Sequence, residues 1–308
     1  MKASGLRAGV AITAREIAVS VVRRRTGAQP LLVQCAHHRS PSSSTQSFLP
    51  SVIQRRHLTR ASLSAVLGTD DYHLVQVERP DVQAAELREA VRWRLQDAID
   101  FPVEEATIDI FEMPDTPRRS GTKMLFVVAA RTAAVRGVGD ALTQHARGFD
   151  VIDIPELCLR NLSELLPQDE KGVALMMLRE QTAQLVVTRQ GVLYLARRID
   201  LGSRTAVNLE DTGLAGDIDT GSIALELQRS LDFYESHFDQ TPIGDLVIAP
   251  DTERARTIAE ALRGETGLRV NTLDCREVLE IADGVSAPSD WLSLTTIGAA
   301  LRADGRKG

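Results

Sequence analysis

The residues able to do chemistry are spread thinly along this chain, and their spacing excludes most active sites. Gly137-Val138-Gly139 supplies two glycines of a dinucleotide fingerprint but lacks the third. It also falls inside a predicted helix, where no strand-to-helix turn can cradle a pyrophosphate. Ser120-Gly121-Thr122-Lys123 has the letters of a phosphate loop without its spacing. There is no Gly-x-Ser-x-Gly elbow, and no serine or cysteine stands in a recognisable triad context. His37 and His38 are adjacent, so on a strand their rings point to opposite faces and cannot share a metal. His57, His73, His145 and His237 lack the i, i+4 pairing of a zinc helix. Asp211, Asp217 and Asp219, interleaved with Gly213, Gly216 and Gly221, form the most suggestive carboxylate cluster. Calcium or magnesium takes such oxygen ligands, but the spacing matches no EF-hand. Asp219 or Thr220 is also placed to cap a helix beginning near Ser222. The expectation is no catalytic residue and no metal site.

Composition narrows the class further. The 308 residues carry 36 Lys+Arg against 42 Asp+Glu, a formal charge of −6, with 43% apolar residues. That is a globular composition without the basic face of a nucleic-acid binder. Cys35, Cys158 and Cys275 are far apart with no CxxC pair, which suits a reducing compartment rather than a disulfide framework or zinc site. The apolar stretch Ala8–Val22 is interrupted by Arg15 and Glu16, unlike a secretion signal. No uncharged apolar run reaches the ~18 residues of a membrane span. Arg23-Arg24-Arg25, Arg55-Arg56 and Arg118-Arg119 are short runs of the kind found on solvated faces.

The elements that must position any site follow from periodicity. Strands are expected at Leu6–Ala14, Ile17–Arg24 and Leu31–His37, then a Ser-rich loop, a helix to about Leu58 and a strand at Tyr72–Glu78. Leu87, Ala90, Val91, Leu95 and Ala98 share one face of a helix over Ala84–Ile99, stopped by Asp100-Phe101-Pro102. Strands at Thr107–Glu112 and Met124–Ala130, a helix at Thr132–Ala146 and a strand at Phe149–Ile154 complete this block, and Pro155–Leu166 connects onward. Three strands then recur at Val173–Leu178, Ala183–Thr188 and Val192–Ile199, before a Gly/Asp-rich loop over Ser203–Gly221. A helix over Ile223–Phe238, a strand at Leu246–Ala249, a helix at Thr252–Arg263, a strand at Leu268–Leu273 and a helix at Trp291–Arg302 end the chain. Gly9-Val10-Ala11-Ile12 is echoed by Gly172-Val173-Ala174-Leu175, 163 residues on. The repeated order β-β-β-α-β-α suggests two related halves.

The stretch from Val91 to Ala106, with its Asp100-Phe101-Pro102-Val103-Glu104-Glu105, resembles the PilM-like proteins of type IV pilus biogenesis, most closely their MshI branch. Phe126–Arg131, Arg198–Gly202, Glu226–Tyr234 and Ile297–Arg302 agree in the family's order over nearly the whole chain. The resemblance implies an actin-like (FtsA-like) α/β fold of duplicated halves, with a small subdomain inserted in the first and a reduced insertion in the second. It places the first half at 1–80, the inserted subdomain at 81–154, a connecting helix at 155–170, the second half at 171–303 and a tail at 304–308. Nucleotide-binding members carry Asp-x-Gly at the first turn of each half, and a glycine-rich turn after a late strand. This chain has Ala11-Ile12-Thr13, Met177-Leu178-Arg179 and Ala249-Pro250-Asp251 at those places. The resemblance thus implies a degenerate ATP and magnesium site at Ala11, Thr13, Met177, Arg179, Ala249 and Pro250, no cofactor, and an adaptor rather than an enzyme. Its implied partner is the N-terminal cytosolic segment of a PilN-like (MshJ-like) single-pass inner-membrane protein, with a secretion ATPase as a further partner. The chain would then sit on the cytoplasmic side of the inner membrane, held there through that partner. The family's groove lies between the first half and the insertion, and Arg92, Trp93 and Asp97 are the candidate contacts. The alternatives are an ATP-binding actin-like switch and a GspL-like cytoplasmic domain of type II secretion.

Overall fold

A computed structural model describes residues 5–40, 45–114, 123–143, 149–201 and 219–303. The chain divides into two compact units, Met1–Leu162 with Cys275–Gly308, and Ser163–Asp274. In the first, β1 (Leu6–Ile12), β2 (Glu16–Arg23) and β3 (Leu31–Arg39) form an antiparallel meander. After α1 (Thr45–Arg55), β4 (Ser62–Val66) pairs parallel with β1. β5 (Tyr72–Glu78), α2 (Leu87–Arg94), β6 (Ala106–Glu112) and β7 (Met124–Arg131) build a separate antiparallel sheet in the order β5-β7-β6. The chain returns through α3 (Thr132–Thr143) to β8 (Phe149–Asp153), parallel beside β4, and continues into α4 (Pro155–Ser163).

The second unit repeats the plan. Its strands β9 (Val173–Leu178), β10 (Thr182–Arg189) and β11 (Val192–Asp200) are again an antiparallel meander. Following α5 (Thr220–Phe238), β12 (Asp245–Ala249) pairs parallel with β9, and after α6 (Glu253–Thr266), β13 (Arg269–Thr272) pairs parallel with β12. Finally α7 (Cys275–Val278), β14 (Glu280–Ile281) and α8 (Trp291–Ala300) complete the first unit, with β14 beside β3. The sheets therefore run β14-β3-β2-β1-β4-β8 and β11-β10-β9-β12-β13, one order used twice.

The duplication is real in topology, but its register differs from the letter echo. Ile12 faces Ile17 at the end of the first hairpin, and Leu178 faces Ala183 at the end of the second. Position 12 thus corresponds to 178, a spacing of 166 residues rather than 163. Gly9 lies within β1, whereas Gly172 precedes β9 at φ +102°, a left-handed conformation that favours glycine.

Three other expectations are corrected. The inserted sheet begins at Tyr72, before the boundary at 81, and β8, placed in the insertion by 81–154, belongs to the large sheet. The second unit stops at Asp274, so the stretch from Cys275 that was assigned to 171–303 folds with the first. The helix expected over Ala84–Ile99 spans only Leu87–Arg94; Leu95 is still buried beyond its end, but Ala98 is exposed. β4 was not anticipated at all. It is only five residues long, and the alternation of Ser62, Leu63, Ser64 and Ala65 breaks at Val66, which gives a weak signal.

Period-2 alternation splits the large sheet of the first unit into two cores. Ala8, Val10, Ile17, Val19, Leu63 and Ala65 pack with Leu49, Val52, Ile53 and Leu142 of α1 and α3. The opposite face presents small residues, Ala11 and Ala18 among them, to α8, which is buried over Leu292–Ala300. The approach there is close. A Cβ on Gly9 would stand 1.8 Å from the Thr296 carbonyl oxygen, and one on Gly298 would stand 2.2 Å from the Cys158 carbonyl oxygen of α4. Polar groups on this buried helix are satisfied locally. Thr295 donates to the Trp291 carbonyl at 2.6 Å, Ser20 and Thr296 share a hydroxyl contact at 2.7 Å, and Asn161 donates to the Gly298 carbonyl at 2.9 Å.

The Asp100–Ala106 segment owes its composition to the inserted sheet. Phe101, Val103 and Ala106 close the core formed by Val91, Leu95, Leu125, Val127 and Ala129. Asp100 accepts from His73 at 2.8 Å and Arg131 at 3.1 Å, and the Arg131 guanidinium lies 4.3 Å over the Phe101 ring.

Gly9→Ala and Gly298→Ala should each lower unfolding stability by at least about 2 kcal/mol, because the obstructing atoms are backbone. Gly264→Ala, within α6 and with open space around its Cβ position, should raise stability by about 0.5–1 kcal/mol through helix propensity alone. Urea unfolding of the three variants measures both effects.

Candidate functional site

Of the positions expected to form a degenerate nucleotide site, Ala11, Thr13, Met177 and Arg179 lie at hairpin ends, one in each unit, and Ala249 and Pro250 at the end of β12. In the first, Ala11 is buried near the end of β1, and Thr13 organises the turn to β2. Its Oγ1 accepts the Arg15 N–H at 3.3 Å and the Glu16 N–H at 3.1 Å, and donates to the Glu16 carbonyl at 3.0 Å. Thr45 donates to the Thr13 carbonyl at 2.7 Å. Backbone donors of the kind that bind anions at such turns are here consumed by a neighbouring side chain.

In the second unit, Met177 and Ala249 are register partners on β9 and β12, both buried, with Pro250 buried beside them. The Arg179 N–H closes the hairpin on the Thr182 carbonyl at 2.8 Å. Arg254, a residue that sequence reasoning missed, donates to the Arg179 carbonyl at 2.8 Å and the Glu180 carbonyl at 2.9 Å. Thr252 caps α6 by accepting the Ala255 N–H at 3.2 Å. No local sequence signal marks Arg254, since its target lies 75 residues earlier in the chain.

Several of the histidines and acids have structural partners. His37 and His38 do point to opposite faces: His37 Nε2 lies 2.7 Å from Ser293 Oγ and 3.2 Å from Asp290, whereas His38 Nε2 accepts from Arg56 at 2.9 Å. His37 Nδ1 lies 3.3 Å from Glu16. Asp290 is the N-cap of α8, accepting the Ser293 N–H at 2.8 Å. Hydrogen bonding to Asp290 raises the His37 pKa against the opposing effect of burial, with Glu16 adding to the rise. For Asp290, burial pushes upward, but hydrogen bonds from His37 and Ser293 outweigh it and bring the carboxyl to about 2. Asp219 caps α5 through the Ser222 N–H at 3.0 Å; Asp211, Asp217, His145 and Ser120–Thr122 lie outside the described residues. No group of three or more metal-binding side chains occurs among the described residues.

The cavity of interest lies within the first unit, between the inserted sheet and the β8 edge of the large one. It has a volume of about 350 Å³. Phe111, Val128 and Ala130 of the insertion face Val151, Ile154 and Leu157 across it. Both β6 and β8 are edge strands of their sheets. Two ion pairs punctuate these apolar walls. Arg88 and Asp109 meet at 3.2 Å with both side chains largely exposed, and Arg302 meets the fully buried side chain of Asp153 at 2.8 Å.

Of the expected contacts, none lines this cavity. Arg92 is committed to the Val103 carbonyl at 2.6 Å, Trp93 is 68% exposed, and Asp97 is exposed beyond the end of α2. Arg88, four residues before Arg92, supplies that helix's contribution instead. Which turn of α2 meets the cavity depends on how the helix docks on the sheet.

No family model matches the sequence, and no curated protein does. Solved structures do match. A chain of the PilM–PilN type IV pilus biogenesis complex is similar at 19% identity and TM-score 0.67, covering 96% of this chain and 99% of its own length. EpsL's cytoplasmic domain, from an inner-membrane component of the Vibrio cholerae type II secretion system, is similar at 12% identity and TM-score 0.52, covering 97% and 96%. A Bacteroides thetaiotaomicron protein of actin-like ATPase fold and unknown function is similar at 8% identity and TM-score 0.50, covering 88% and 92%. The chain therefore has the actin-like fold. Among its described residues no helix is long and apolar enough to cross a membrane.

The His37 cluster predicts a pH dependence. A histidine with a raised folded value stabilises the fold fully below its ordinary pKa of 6.5, and that contribution is lost as pH rises through the folded value. The Asp290 contribution is present above 3.8 and is lost as pH falls toward about 2. Urea unfolding across pH should show both losses in the wild type, and His37→Gln should abolish the alkaline one.

Proposed function

We propose that this protein is a catalytically silent actin-like adaptor that docks an extended peptide in the groove between its inserted sheet and β8. The carrying observation is the cavity itself, an apolar slot flanked by two edge strands. An extended segment gains main-chain hydrogen bonds from such an edge, while alternate side chains enter pockets. The PilM–PilN likeness supports a PilN-like single-pass membrane protein as the source of that segment. The family resemblance of the Val91–Ala106 stretch extends the reading to the MshI branch, an MshJ-like partner and contact with a pilus secretion ATPase. On this reading the chain works on the cytoplasmic face of the inner membrane, held there by its partner. The EpsL likeness supports a second reading, the equivalent component of a type II secretion system, which the identity of the bound peptide separates from the first.

Loss of nucleotide chemistry is part of the proposal. Neither Ala11 nor Met177 supplies a carboxylate for magnesium, Thr13 consumes the first turn's donors, and Arg254 occupies the second turn's carbonyls. These residues do not fit a magnesium nucleotide, and we assign the protein no cofactor.

Calorimetric titration with a synthetic peptide of the PilN-like protein's N-terminal cytosolic segment should show micromolar binding. Val128→Glu, which places a charge on the apolar wall, should weaken it at least about tenfold. Trp93→Ala and Arg92→Glu should change it little; a loss equal to that of Val128→Glu would move the docking surface to α2. Titration with Mg-ATP should give no heat of binding, and a micromolar dissociation constant would overturn the silent-scaffold reading.

A further inference from the structure

We propose that Tyr72 and Glu156 are positioning residues of the groove, whose mutual hydrogen bond holds its two walls at the separation an extended peptide requires. The inference deepens the docking function above and rests on it. The walls belong to two parts of the first unit joined by a narrow neck: residues 67–71 lead out to β5, and β7 leads back directly into α3. Within the neck, the Asp71 N–H donates to the Gly68 carbonyl at 3.1 Å and the Arg131 N–H to the Asp71 carbonyl at 2.8 Å. These bonds keep the two passages side by side, and the Leu67 N–H ties the outgoing one to the Asp153 carbonyl at the end of β8 at 3.0 Å, but none of them joins the inserted sheet itself to the opposite wall.

The Tyr72–Glu156 bond does reach it. Tyr72 opens β5 and Glu156 stands in the first turn of α4; the phenol donates to Oε2 at 2.6 Å, with both residues buried. Each is one step from the cavity. Tyr72 pairs in register with Ala130, and Glu156 precedes Leu157, and both of those neighbours line the cavity while Tyr72 and Glu156 do not. A phenylalanine at position 72 would fill the same volume, so the hydroxyl's particular contribution is the link across the neck. Its acceptor is a buried carboxylate at a helix N-terminus, where negative charge is favourable and a donor from the facing wall forms a strong, short bond. Losing that donor removes the link between the walls and lets them adopt other separations. A peptide that binds one separation then pays in affinity according to how seldom it is populated.

The test uses the full chain and the same PilN-like peptide as probe, with Tyr72→Phe, Glu156→Gln and their double variant. Tyr72→Phe should weaken peptide binding roughly tenfold. Glu156→Gln, which keeps an acceptor oxygen for the phenol, should retain most of the affinity, and the double variant should bind no more weakly than Tyr72→Phe alone. That rescue and that coupling are not expected of general destabilisation. Without peptide, amide exchange in β6 and β8 should quicken in Tyr72→Phe while β9 and β10 keep their protection, a readout that survives partial loss of stability. Wild-type protein that ignores the peptide overturns the docking reading and this inference with it. Wild-type protein that binds while folded Tyr72→Phe binds equally well overturns the positioning role alone.

Discussion

The contact on which the first unit depends is the close seating of α8 on the small-residue face of its sheet. A helix normally packs at a distance set by its side chains. Here Gly9 in the sheet and Gly298 in the helix remove those side chains where the Thr296 and Cys158 carbonyls pass. The helix comes from the far end of the chain, so this seating also draws Cys275–Leu301 back into the first unit. Its consequences run to both ends. At the start, Asp290 joins His37 and Ser293; just past the end, Arg302 reaches Asp153, with its own carbonyl held by Arg7 at 2.8 Å.

The same seating helps to shape the groove. Asp153 ends β8, Leu157 opens α4, and Asn161 of that helix donates to the Gly298 carbonyl. One wall is therefore braced from behind by a helix seated close against both the sheet and α4. The other wall, the inserted sheet, has its own core around Val91, Leu95, Phe101 and Leu125. Rigid walls with a defined gap suit recognition of a flexible segment, since the protein loses little entropy on binding.

The two hairpin tips carry different residues on the same backbone plan. Each tip keeps its place in the duplicated sheet, but its hydrogen-bonding groups are satisfied from within: Thr13 at one, Arg254 at the other. Satisfying such backbone groups is neutral or favourable for stability.

The sequence by itself determined the two meanders and the helix stripe of Ile223, Leu227, Leu231, Tyr234 and Phe238, because each of these is a local periodicity. The resemblance carried by the Val91–Ala106 stretch led to the actin-like fold. Tertiary structure alone decided the rest. β4 escaped notice because its five residues are too few for a clear pattern, and the register of the repeat came from strand pairing rather than letters. The place of Arg88 in the cavity lining depends on docking, and the partners Arg254–Arg179, Arg302–Asp153 and Tyr72–Glu156 join elements remote in the chain. The cavity's walls meet only after the insertion has folded back on β8. Local sequence fixes which face of an element is apolar, but which residues meet across a gap follows from how whole elements dock.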